Sequence, residues 1–293
     1  MKRFSPIAAV AASLAAPALA AQTQSPETGK DEGQTITVQG RTEQAVERFV
    51  RSVTQVDRGR QLSRWNGHVC PKVLGLDPGH AAFIVNRINA TARRHGIPVA
   101  RGNCPGNIII VVTAEADEFA TLLAQRYPRL FGDPDAGMAS PGEIARLVRP
   151  RPVRWLTGAR TGNSEGRQRY DGATRIYSAS RLTLSTRENA GISFAIVDAG
   201  RLERISWGQL ADYLSLATLA RPSMDADYDA ATVLSIFAMR ERGETGPPGL
   251  TAQDDQLLEA LYATDAAVQA ERQREQIETQ IQRGAEARPE PEG

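Results

Sequence analysis

Six consecutive β-formers, Ile108-Ile109-Ile110-Val111-Val112-Thr113, make the strongest strand in the chain and constrain its fold more than any other segment. A run without polar alternation predicts burial on both faces, so the strand at 107–113 needs other elements over each side of it. The neighbouring sequence supplies them. Asp77-Pro78 places an N-cap before a proline at the first helical position. Ile84, Ile88 and Ala92 line that helix, and Gly96 ends it. A second helix, 114–126, follows the strand and closes at Tyr127-Pro128. Residues 43–55 carry Ala45, Val46, Phe49 and Val53 at helical spacing. Residues 68–74 read as extended chain, and further strands are predicted at 35–39, 153–157, 174–185 and 192–197. The glycine-rich, basic stretch 158–172 reads as a loop. Beyond Val197 the pattern turns helical, at 207–219, 231–238, 253–262 and 264–283. Strands in the middle with helices at both ends predict an α+β fold.

The first residues set the compartment. Met-Lys-Arg, a short apolar run from Ile7 to Ala16 and the small-residue exit Ala18-Leu19-Ala20 read as a secretory signal at 1–20. The apolar part falls short of the ~20 residues that span a bilayer. Polar residues 21–34 read as a disordered leader. The expected organisation is then a single α+β domain at 35–263 and a C-terminal helix with a frayed tail at 264–293. That last helix has only Val268, Ile277 and Ile281 as large apolar residues and reads as a solvated extension. For an exported chain the two cysteines, Cys70 and Cys104, read first as a disulfide that fastens the N-terminal segment. The competing reading is metal, because His68, His80 and His95 share the same stretch. Their spacing matches no zinc knuckle, and His80 and His95 stand near opposite ends of one predicted helix, roughly 22 Å apart at 1.5 Å per residue.

Charge is nearly balanced overall, with 35 basic and 34 acidic side chains, so nothing in the composition calls for nucleic acid. It is unevenly placed, however. Residues 149–187 hold nine arginines against Glu165 and Asp171, whereas 201–293 hold seventeen carboxylates against nine arginines. In strand form Arg175, Arg181 and Arg187 fall on one face, a candidate contact strip for an anionic partner. Two motif fragments fail on their context. Gly162-Asn163-Ser164-Glu165-Gly166 fits the nucleophile elbow, yet arginines flank it and no histidine follows downstream. Asp225-x-Asp227-x-Asp229 resembles the opening of a calcium loop, but Ala230 and Ile236 stand where glycine and glutamate belong.

The helix at 207–219 carries the most telling pattern. Gly208-Gln209-Leu210-Ala211-Asp212-Tyr213-Leu214-Ser215-Leu216 resembles the metal-binding helix of zinc metallopeptidases, His-Glu-x-x-His-x-Leu-Gly-Leu, with its polar residues replaced. Ser235-Ile236-Phe237 is similar to the Ser-Ile-Met turn of such domains, and Leu250-Thr251-x-x-Asp254 with Leu257 and Leu261-Tyr262 to their closing helix. The resemblance implies a degenerate zincin-like domain over about 107–262. Gly208 and Asp212 stand at the histidine positions and Gln209 at the glutamate. Glycine supplies no ligand and an amide takes no proton from water, so the resemblance implies neither peptidase activity nor a cofactor. The expected function is an exported binding or accessory protein of the cell envelope. Its partner would be a peptide, an anionic envelope component or an envelope protein, contacted through Arg175, Arg181 and Gln209. The alternative is a hydrolase or metal-assisted enzyme that uses Asp212 with Asp225 or Asp227, or the region of His68, His80 and His95.

Overall fold

The computed structural model describes residues 43–54, 61–127, 141–163 and 184–286. The signal and leader, the strand at 35–39, Arg175, Arg181, most of the strand at 174–185, Ser164-Glu165-Gly166 and the tail from 287 lie outside the described residues.

Among the described residues four strands form one mixed sheet. β1 (Pro71–Leu74), β2 (Ile108–Thr113), β3 (Val153–Asn163) and β4 (Thr186–Asp198) lie in the order β1-β2-β4-β3. β2 runs parallel to β1 and to β4, with Val73 opposite Ile110 and Ile110 opposite Ala195. β3 is antiparallel to β4 and forms an edge. The apolar run therefore sits inside the sheet, paired on both sides. Its burial alternates all the same: Ile108, Ile110 and Val112 are buried, while Ile109, Val111 and Thr113 are partly exposed. The expected burial on both faces is met on one.

The helices explain the asymmetry. Side chains of a strand alternate between faces, and the larger core gathers Ile108, Ile110, Val112, Ala195 and Val197 with Ile236 and Phe237 of a short helix and the buried stripes of five longer helices. These are α1 (Glu43–Val53), α2 (Pro78–Arg94), α5 (Trp207–Leu219), α7 (Ala252–Ala263) and α8 (Ala270–Glu286). The smaller core takes Ile196 of β4, with Leu156 and Phe194 packed against it, under α3 (Ala116–Arg126) and α4 (Pro141–Val148). A short helix, α6 (Ile236–Glu241), follows a 3-10 turn at Val233–Ser235. Asp77 caps α2 as its sequence predicts, accepting from the backbone N–H groups of Gly79 and His80.

One expectation is met and two need correction. The cysteines are joined, Cys70 to Cys104, as their first reading has it. This bond ties the start of β1 to the loop before β2, where Asn107 also accepts from the Cys70 N–H at 2.7 Å and donates to the His68 carbonyl at 2.8 Å. Residues 158–163, read as loop, continue β3, because β4 offers them a ladder that runs to Thr186 past an irregularity at Gly158/Ala159. And α8 is no solvated extension. Ile277 and Ile281 lie in the main core, and buried Gln273 accepts from the Leu62 N–H at 2.7 Å and donates to the Asp265 carbonyl at 3.0 Å.

Candidate functional site

The helix with the metallopeptidase-like spacing, α5, starts where its sequence dictates. Ser206 caps it and accepts from the Gln209 N–H at 3.1 Å, and the Gln209 side chain returns the bond by accepting from the Ser206 N–H at 3.0 Å. The amide of Gln209 also donates to the Pro247 carbonyl at 2.8 Å. Both polar atoms of this side chain are therefore engaged with the chain itself.

One turn on, Asp212 is fully buried. Its two oxygens accept from Arg87 of α2, Nε at 2.6 Å and Nη2 at 2.8 Å, in the side-on fork that guanidinium and carboxylate favour. Oδ2 also accepts from the Leu250 N–H at 3.1 Å. The hydrogen bond to Asp212 raises the pKa of Arg87, outweighing its desolvation. Gly249 comes so close that a Cβ on it would lie 2.3 Å from Asp212 Oδ2. Only glycine lets the backbone approach there. The segment Gly246-Pro247-Pro248-Gly249-Leu250 thus straps the face of α5 that carries positions 208, 209 and 212. It is pinned by Gln209 at one end and by Asp212 at the other.

Around this face the ends of α2 and α5 meet. The rings of His80 and Trp207 stack at 4.2 Å between centroids, and His80 Nδ1 contacts the carboxylate of Asp77. That contact holds the Asp77 carboxyl below its ordinary range. Beneath α5, Tyr213 packs edge-on against Trp155 and Phe237, and burial pushes its phenol pKa up. Asp254, at the position the closing-helix resemblance singles out, is buried and caps two elements at once. Its Oδ2 accepts from Val233 N–H at 2.8 Å and Thr251 N–H at 3.0 Å, and burial raises its pKa.

The other residues singled out by sequence do not gather. Asp225 accepts from Arg149 at 3.0 Å and Arg151 at 2.8 Å, so it and Asp212 belong to separate ion pairs. Asp229 caps its own turn through the Ala231 N–H at 3.0 Å. His80 lies in the first turn of α2 and His95 caps its other end, where His95 Nε2 stands 3.0 Å from Asp255 Oδ1. Among the described residues no three His, Cys, Asp or Glu side chains converge as a metal site. Arg87 is the participant that sequence reasoning missed. It is a half-exposed arginine in a helix, 125 residues from its partner, and nothing local marks it. Comparison of the chain with protein-family models, curated proteins and solved structures finds no match.

Proposed function

We propose that the protein is an exported, non-catalytic binding or accessory protein of the cell envelope, on a zincin-like frame whose metal-binding face has become a structural joint. The observation that carries this reading is the engagement of Asp212, with both oxygens held by Arg87 and Oδ2 also by the Leu250 N–H. Zinc does not fit these residues. Gly208 offers no donor, Gln209 is tied to Ser206 and Pro247, and binding through Asp212 would leave Arg87 without its partner. A general base is lacking for the same reason, because a carboxylate locked against an arginine is ill placed to take a proton from water.

Binding in place of cleavage suits the sheet. β3 is an edge strand of 11 residues. The N–H of Trp155 faces outward and donates to Met224 Sδ at 3.2 Å, so residues near 224 cover the start of that edge. Beyond it, no strand among the described residues pairs with the outer side of β3. An extended peptide adding to this edge is the partner chemistry it fits best. Incubation of the purified chain with unfolded casein, with and without added zinc, is expected to leave the casein intact. Cleavage that Asp212→Asn abolishes would overturn the non-catalytic reading.

A further inference from the structure

A second candidate site stands at the other end of α5. A cleft of about 650 Å3 opens between the end of α2, the segment preceding β1 and the last turns of α7, with Arg64, Trp65, Arg94, His95, Asp255 and Glu259 among its lining. Its position is fixed from below: Trp65 Nε1 donates to the Thr218 carbonyl at 2.9 Å and the Tyr262 hydroxyl to the Leu219 carbonyl at 2.9 Å. Most of its charges answer one another. Arg94 donates to Asp255 at 2.9 Å, and His95 Nε2 stands 3.0 Å from the same oxygen.

Arg64 is the exception. Its side chain is about nine-tenths buried, with a relative exposure of 9%. Nη1 makes all of its hydrogen bonds, donating to the Leu261 carbonyl at 3.1 Å, the Thr264 carbonyl at 2.9 Å and Thr264 Oγ1 at 3.1 Å, with a longer contact of 3.5 Å to the Tyr262 carbonyl. No carboxylate among the described residues forms an ion pair with it. Nε and Nη2 therefore have no hydrogen-bond acceptor among the described residues. They are not sealed in either: the Nε atoms of Arg151 and Arg154 are buried without a partner, but no nitrogen of Arg64 is. The free edge of the guanidinium thus meets the cleft that Arg64 lines. Burial lowers the pKa of this arginine and, with Arg187 nearby, outweighs the opposing pull of the Tyr262 hydroxyl and the Asp265 carboxylate. The same edge of Arg87, Nε with Nη2, is the one that grips Asp212 elsewhere in this protein.

We propose that this cleft binds the carboxylate of a small zwitterion, an amino acid or the end of a short peptide. The carboxylate takes Nε and Nη2 of Arg64 side-on, as Asp212 takes Arg87. Glu259, exposed at the rim, disfavours a purely anionic ligand and receives the ammonium group. The site lies away from the strapped face of α5 and does not depend on the non-catalytic reading.

The test is calorimetric titration of the full chain with four probes: trialanine, its C-terminal amide, its N-acetylated free acid, and alanine. Trialanine or alanine is expected to bind, and whichever binds more tightly identifies the source. The amide should bind at least about tenfold more weakly, and the N-acetylated acid should lose less. Glu259→Gln should weaken trialanine and leave the N-acetylated acid unchanged, and it touches nothing the fold needs. Arg64→Lys keeps the charge without the fork and should weaken every free acid by roughly tenfold. If that variant does not fold, the probe series and Glu259→Gln still decide. Equal binding of acid and amide, or no binding of either zwitterion up to about 10 mM, overturns the proposal.

Discussion

Arg87→Met should destabilise the fold far more than Asp212→Asn, although both break the same ion pair. Asp212 is fully buried, whereas the Arg87 side chain keeps 47% of its surface exposed. Removing the guanidinium leaves a carboxylate in the core with the Leu250 N–H, at 3.1 Å, as its remaining donor. Breaking a buried pair this way typically costs 3–5 kcal/mol, and the half-exposed partner points to the lower end, about 3 kcal/mol. Asp212→Asn leaves an acceptor for Leu250 and a guanidinium that water can solvate, so only the charge-assisted part is lost, about 1 kcal/mol. The difference of about 2 kcal/mol corresponds to roughly a thirtyfold change in the folding equilibrium. Urea unfolding followed by tryptophan fluorescence and far-UV circular dichroism measures it, provided the slopes of the transitions agree. Equal losses in the two variants, or a larger loss in Asp212→Asn, would refute the assignment of Asp212 as a buried structural tie.

Four further outcomes follow from other contacts of the fold. Burial pushes the Asp225 carboxyl up, but the hydrogen bond from Arg151 and the charges of Arg151, Arg149 and Arg146 outweigh it and hold its pKa below the ordinary value. A depressed carboxyl contributes stability above its unfolded value of about 4 and loses it as the pH falls through its folded value. The gap in stability between wild type and Asp225→Asn should therefore be larger at pH 6 than at pH 2, and a gap independent of pH would contradict the pairing. Replacing Cys70 and Cys104 with serine opens a loop with a sequence separation of 34, and should cost about 3–4 kcal/mol on the chain-entropy account, read as a lower urea midpoint. Ile277→Ala, at a fully buried position, should cost about 2–4 kcal/mol. Truncation after Ala263 should yield unfolded protein by circular dichroism, whereas a folded truncate would show that α8 is dispensable.

What the sequence made legible depended on local chemistry. Asp77-Pro78 announces the start of α2, and the Ile-Val run announces β2. The parts that stayed hidden are set by distant partners. Residues 158–163 hold glycine and arginine, poor strand formers, and become strand because β4 pairs with them. The short helix α4 escaped notice in its eight residues. α8 looks too polar to pack because its buried contribution comes from an alanine, two isoleucines and a glutamine, and the partners of Gln273 lie more than 200 residues upstream or just before it. Polar roles were the least legible. Nothing local distinguishes Arg87, bound to Asp212, from Arg64, whose fork faces a cleft.

The central claim, that the 208–212 face of α5 is a joint rather than a metal centre, is tested most directly by elemental analysis of the protein purified from its native source without chelators. Zinc well below one equivalent per chain is the predicted result. About one tightly held equivalent, lost in Asp212→Asn, would contradict it.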